Sequence, residues 1–163
     1  MKSALPKWRE VQDWATDGAA DWAVGLSVAS QLPGRLDGPA DAFRHLLIAA
    51  ELHRVYGQSY AGRLLNAHEF DFGHSSDTDM DEYNNEIGQQ IGRYVRSNNG
   101  STADVIKFAK QVMLNSFPGG DSANVRWEPG PETGWRVKAA KSTQLPNGVI
   151  LQPAVVAEND PDK

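Results

Sequence analysis

The chain has no cysteine. Disulfides and thiolate-held metals are therefore excluded, while the redox compartment stays open. Also missing is any stretch near the ~20 consecutive apolar residues of a membrane span. The opening MKSALPKWREVQDW lacks the apolar run of a signal peptide, so synthesis in the cytoplasm without a cleaved signal is expected. No basic stripe is visible. The 16 Lys and Arg are scattered singly among 21 Asp and Glu, and the net charge of −5 argues against a nucleic-acid binder. There is no G-x-S-x-G elbow, no H-E-x-x-H and no P-loop, which removes the most diagnostic catalytic signatures.

What is present is ordinary globular material: 163 residues, 40% hydrophobic and 23% charged, enough for one domain with a real core. The organising stretch runs from Asp37 to Gly57. Asp37 and Gly38 suit a helix start, Pro39 suits the first turn, and Gly57 suits the left-handed residue that ends a helix. Between them the sequence is apolar on nearly every side, which predicts a buried helix with others packed around it. Its ionisable exceptions, Asp41, Arg44, His45 and Glu51, must then be paired, satisfied or functional.

The pattern on either side is mostly helical. Trp8, Val11 and Trp14 recur at helical spacing, then Trp22, Leu26 and Ala29, and the tryptophans are assigned to core packing. A fourth helix is predicted over 59–72, and a fifth over 78–96 with Met80, Asn84, Ile87, Gly88 and Ile91 on one face. A glycine on such a face costs about 1 kcal/mol against alanine, so Gly88, with Gly92 one turn on, implies close approach of another backbone such as the central helix. Ser101 or Thr102 caps a sixth helix carrying Val105, Phe108, Ala109 and Val112. Beyond Pro118-Gly119-Gly120, Val125-Arg126-Trp127 and Trp135-Arg136-Val137 read as two short strands, and Pro146-Asn147-Gly148 as a turn before Val149-Ile150-Leu151. The expected architecture is mainly α: a helical bundle over 1–120, a C-terminal β-hairpin or extended region over 121–157, and a disordered polar tail over 158–163.

All four histidines and the densest acids fall in the middle of this bundle. Asp41 and Arg44, three apart, suit a local ion pair, and Glu51 is either a second partner for Arg44 or a carboxylate aimed into a cleft. His53 and His74 read as surface residues near helix ends. Glu69, at the end of an apolar stripe, is placed where desolvation raises a carboxyl pKa, which suits a general acid; its structural alternative is a pair with Arg63 or Arg44. Asn84 lies on a buried face and needs partners, for which His45 and Glu69 are the natural choices. The run Asp77-Thr78-Asp79-Met80-Asp81 imitates the start of a calcium loop, but Glu82 stands where glycine belongs and Gly88 where glutamate belongs. Acids in a first helical turn explain it without metal. No cofactor is expected, with a divalent cation held by Asp79 and Asp81 as the subordinate alternative.

Three stretches together, DAFRH at 41–45, AHE at 67–69 and DMDEYNNEIG at 79–88, resemble a small helical domain of bacterial polymorphic toxins and phage-linked proteins. Leu46 departs from that pattern, which usually has a small residue there. By matching position the resemblance points to Arg44, His45, Glu69, Asp79, Asp81, Asn84 and Asn85, and it implies an antibacterial effector exported by a dedicated apparatus and active in the target periplasm. The resulting expectation is a hydrolase of an envelope polymer, with peptidoglycan first. Glu69 would be the acid, Asp79 or Asp81 the second carboxylate, and His45 and Asn84 orienting groups; Arg44 would hold substrate or tune the acid, and a cognate immunity protein would be the partner. The alternatives are a phospholipase-like hydrolase using His45 with an aspartate, and a non-enzymatic module of a phage tail or secretion apparatus.

Overall fold

The computed structural model describes residues 18–72, 76–118, 127–130 and 135–157, apart from side chains within 66–72, within 76–78 and at 127. Trp8, Val11, Trp14, His74, the strand residues 125–126, the side chains of His68 and Glu69, and the tail from 158 lie outside that description. Five helices are described: α1 Ala20–Ala29, α2 Pro39–Tyr56, α3 Gln58–Phe72, α4 Ser76–Ser97 and α5 Thr102–Ser116. Two small antiparallel pairs follow, β1 Trp127–Pro129 with β2 Trp135–Val137, and β3 Thr143–Gln144 with β4 Ile150–Leu151. The fold is mainly α, built around a central helix, as its hydrophobic pattern predicts.

That central helix is α2. Gly38 enters it in an extended conformation, Pro39 takes the first turn, and Gly57 leaves it at φ +87°. The first-turn amides are satisfied by the preceding loop, with Ala40 N–H donating to Pro33 O at 2.8 Å and Asp41 N–H to Gly34 O at 3.2 Å. At the other end Arg96 of α4 donates to the carbonyls of Arg54 and Val55, at 2.9 and 3.1 Å, placing a cation where carbonyl groups lack helical partners. Residues on every side of α2 are buried, including Phe43, Leu46, Leu47, Ala49, Ala50 and Leu52.

The main partner of α2 is α4, and the two run in the same direction, with α3 as the return crossover. Gly88 and Gly92 make the contact close. A Cβ at Gly88 would lie 2.7 Å from Leu46 O and 2.8 Å from the Ala49 Cβ, and one at Gly92 would overlap Ala50 O and His53 Cβ. The two helices therefore touch backbone to backbone. On the remaining sides, α3 closes over Ala49 and Leu52 with Ala61 and Leu65. Helix α5 adds Val105, Phe108, Ala109 and Val112 after a Ser101–Asp104 capping box.

The C-terminal segment belongs to the same core rather than lying beside it. Val137, Leu145, Leu151, Ala154, Val155 and Val156 are buried in the main cluster. Ala154 N–H donates to Ser116 Oγ at 2.9 Å, and Trp135 and Val156 exchange backbone hydrogen bonds. Among the described residues the first strand covers Trp127–Pro129, taking in Glu128 and Pro129 that the sequence assigns to the connecting loop. Glu128 then stands opposite Arg136, and this cross-strand charge pair favours that register. Among the described residues no helix is long and apolar enough to cross a membrane.

Candidate functional site

The seam between α2 and α4 decides which polar side chains meet. On α4 the stripe Asp81, Asn85, Gly88, Gly92 follows the i, i+4, i+7, i+11 rhythm of one helix face. On α2 the facing row is Asp41, His45, Ala49, His53. Because the glycines fix where α2 lies, Asp81 and Asn85 must face Asp41 and His45 one or two turns earlier.

His45 sits at the centre, and it is buried along with Asp41 and Asn85. Its ring Nδ1 lies 3.2 Å from Asn85 Oδ1. On the other side of the ring, Nε2 lies 3.1 Å from Asp81 Oδ1 and 3.5 Å from Asp41 Oδ1. Asp41 is itself held twice: Oδ2 accepts from the Asp37 backbone N–H at 2.9 Å, and Oδ1 pairs with the Arg44 guanidinium. The Asp41–Arg44 ion pair is the one the i, i+3 spacing predicts. Asp81 and Arg44 are the part-exposed members of the cluster, with side chains 18% and 34% exposed, while His45 Nε2 and Asp81 Oδ1 are themselves buried. Asp41, His45 and Asp81 bring one ligand atom each within 4.8 Å of one another, and they are the only such metal-capable group among the described residues.

The other residues singled out in the sequence are distributed differently. Asn84 is fully buried, as its face requires, but His45 is not its partner. Its amide donates to Val155 O at 2.8 Å and accepts from Val155 N–H at 3.0 Å, so it acts as a strand-like clamp on the C-terminal segment. The carboxamide beside His45 is Asn85. Glu51 is neither a partner of Arg44 nor aimed into this cluster. It is buried against Arg54 and accepts from the Thr102 hydroxyl, with Arg54 also donating to Thr102 Oγ1 at 3.1 Å. That triad ties the end of α2 to the start of α5. Asp79 is half-buried and does not join the metal-capable group, and the Glu69 side chain lies outside the described residues.

His53 is buried instead of lying on the surface. Gly92 has no side chain, so α4 comes against the His53 Cβ, and Nδ1 sits 3.2 Å from Gln89 Oε1. Burial lowers the His53 pKa below its ordinary 6.5; the Gln89 contact opposes this, while the charges of Arg93 and Arg96 add to it.

The family described as Domain of unknown function (DUF6973) matches residues 14–116, more than half of the chain. The chain belongs to the DUF6973 family. The matched region ends at Ser116, the last residue of α5, and takes in both faces of the α2–α4 seam. Neither the curated proteins nor the solved structures yield a match to this DUF6973 chain.

Proposed function

We propose that this DUF6973 protein is an antibacterial envelope hydrolase that activates water at the His45 centre and cleaves an acyl bond, an ester or an amide. The observation that carries the reading is the setting of His45. One ring nitrogen is held by Asn85, the other faces the carboxylates of Asp81 and Asp41, and Asp81 and Arg44 are the part-exposed members of the group. A buried imidazole oriented by a carboxamide and flanked by carboxylates suits polarisation of a water and transfer of its proton. Arg44 supplies positive charge at the mouth, where an anionic headgroup or a developing oxyanion would sit.

The same geometry favours acyl over glycosidic cleavage. Asp41 and Asp81 approach the same nitrogen of His45, whereas glycan hydrolysis needs two carboxyl groups on either side of a sugar ring. Glycan-strand cleavage therefore depends on Glu69. The envelope target, export by a dedicated apparatus and a cognate immunity protein all rest on the resemblance of the FRH, AHE and DMDxxNNxxG stretches to toxin domains. A non-enzymatic reading has one observation behind it. With His45 protonated, Asp41, Arg44, His45 and Asp81 form a charge-neutral quartet that needs no substrate to explain its burial.

Expression in the cytoplasm and, separately, in the periplasm of a sensitive bacterium tests the proposal. Killing from the periplasm alone, lost in His45→Ala, is the expected result. Fatty acid release from liposomes identifies an ester target, and stem-peptide release from purified walls identifies an amide. Release of disaccharide muropeptides would transfer the chemistry to Glu69. Absence of killing from both compartments, with no product from liposomes or walls, overturns the hydrolase reading.

A further inference from the structure

We propose that Asp41, His45 and Asp81 bind a divalent transition cation of the zinc or manganese type. This deepens the hydrolase reading by replacing its water-activation step, with His45 as ligand in place of base, and rests on it only for the cation's use; binding itself stands on the geometry below.

The first argument is distance. Ligand atoms at about 2.0–2.2 Å from a zinc ion, at tetrahedral or octahedral angles, are about 3.0–3.5 Å from one another. The separations from Nε2 to Asp81 Oδ1 and to Asp41 Oδ1 are 3.1 and 3.5 Å, and all three atoms lie within 4.8 Å. Both sides that meet at His45 Nε2 thus match one small ion, and the carboxylate-to-carboxylate side, within 4.8 Å, closes on it with a small side-chain adjustment. A second argument, independent of spacing, comes from the far side of the ring. With Nδ1–H donating to Asn85 Oδ1, a neutral ring turns the Nε2 lone pair toward the two carboxylates. Three donor atoms then converge, of which Asp41 Oδ1 already pairs with the Arg44 guanidinium, and a cation between them would add to that charge compensation. A ligating histidine whose other ring nitrogen is fixed by an oxygen acceptor is the arrangement metal sites use to set tautomer and ring orientation.

The donor set narrows the ion. One imidazole nitrogen and two carboxylate oxygens suit zinc, manganese or ferrous iron, whereas calcium takes six to eight oxygens and magnesium is held largely by oxygen and water. Three protein ligands leave positions for water, as catalytic sites require. Arg44 competes, because its guanidinium pairs with the same Asp41 oxygen. At one-third exposure it can swing into solvent, and it is then free for an anionic substrate group. When bound, the ion would lower the pKa of a coordinated water; His45 then acts as a ligand and not as a base.

The test uses the full chain, stripped with a chelator and titrated with Zn²⁺, Mn²⁺ and Ca²⁺ by calorimetry and by thermal shift. One equivalent of Zn²⁺ or Mn²⁺ is expected to bind and raise Tm, with no response to Ca²⁺. Asp81→Asn, at a part-exposed position tolerant of an isosteric change, and His45→Ala should each weaken binding at least tenfold. Asp79→Asn should leave it unchanged, and Arg44→Met should tighten it. Co²⁺ should give a visible spectrum that Asp81→Asn alters. Absence of binding, or binding equally strong in Asp81→Asn and His45→Ala, overturns the site in favour of an imidazolium ion pair. Binding without envelope hydrolysis keeps the metal site and defeats the proposed function; hydrolysis undiminished by the chelator does the reverse.

Discussion

Gly88→Ala is the sharpest test of the α2–α4 seam, because two opposing effects can be weighed. Replacing glycine in a helix interior ordinarily stabilises by about 1 kcal/mol. At position 88 the added methyl would lie 2.7 Å from Leu46 O and 2.8 Å from the Ala49 Cβ, against normal contacts of about 3.5–4.0 Å. The nearest atom is backbone oxygen, which cannot swing aside, so the helices must part by close to ~1 Å. A gap of that size forfeits about a quarter to a half of each dispersion contact along the seam, and overpacking typically costs about 1–3 kcal/mol. Set against the propensity gain, this leaves an expected net loss of up to about 2 kcal/mol, or as much as roughly 4–8 °C in Tm for a domain of this size. Gly25→Ala and Gly62→Ala provide internal controls: both positions are helical, and a Cβ there meets nothing within 4 Å. They should stabilise by up to about 1 kcal/mol. The assay is thermal and urea unfolding of the three variants in parallel. A Gly88→Ala protein as stable as the two controls would refute backbone contact at the seam.

Further expectations follow from the buried polar groups. Asn84→Ala leaves the Val155 N–H and C=O without their partners and should cost about 2–4 kcal/mol in urea unfolding, with early proteolysis near the C-terminal segment. Thr102→Val removes the hydroxyl that donates to buried Glu51 and should cost about 1–3 kcal/mol, seen as a lower urea midpoint. For His53 the folded-state pKa lies below the unfolded value of 6.5, so the unfolded chain takes up the proton first. Stability should fall as pH drops through 6.5 toward the folded pKa and level off below it, by about 1.4 kcal/mol for each unit of depression. His53→Gln should flatten that slope in unfolding measured from pH 7 to pH 5.

Helix α2 was legible in the sequence because its stop signals are local and its apolar residues surround the axis. The C-terminal strands were legible only roughly, since Glu128 and Pro129 read as loop until Arg136 is seen opposite. Within the candidate site, the i, i+3 pair of Asp41 and Arg44 needed no tertiary knowledge. The partner of His45 did. The apolar rhythm of α4 correctly buries Asn84, but that face meets the C-terminal segment, which lies some seventy positions away in the chain. The face that meets α2 is marked by Gly88 and Gly92, and the residues on the glycine line are Asp81 and Asn85. Following the glycines rather than the large apolar residues would have found them. Buried His53 was missed for the same reason, since only a bare Gly92 lets α4 come against it. Glu51 has one partner that local spacing offers, Arg54 three residues on, and a second, Thr102, that comes from a helix local spacing cannot bring near.

The most direct measurement compares wild-type protein with Asp81→Asn for product release from liposomes and purified cell walls, alongside their Tm values. A part-exposed carboxylate 3.1 Å from His45 Nε2 should be dispensable for folding and needed for chemistry. The account predicts a Tm within a few degrees of wild type and a loss of activity on the order of 100-fold or more. Equal activity in the two proteins, or a wild-type chain that releases nothing from either substrate, would contradict it.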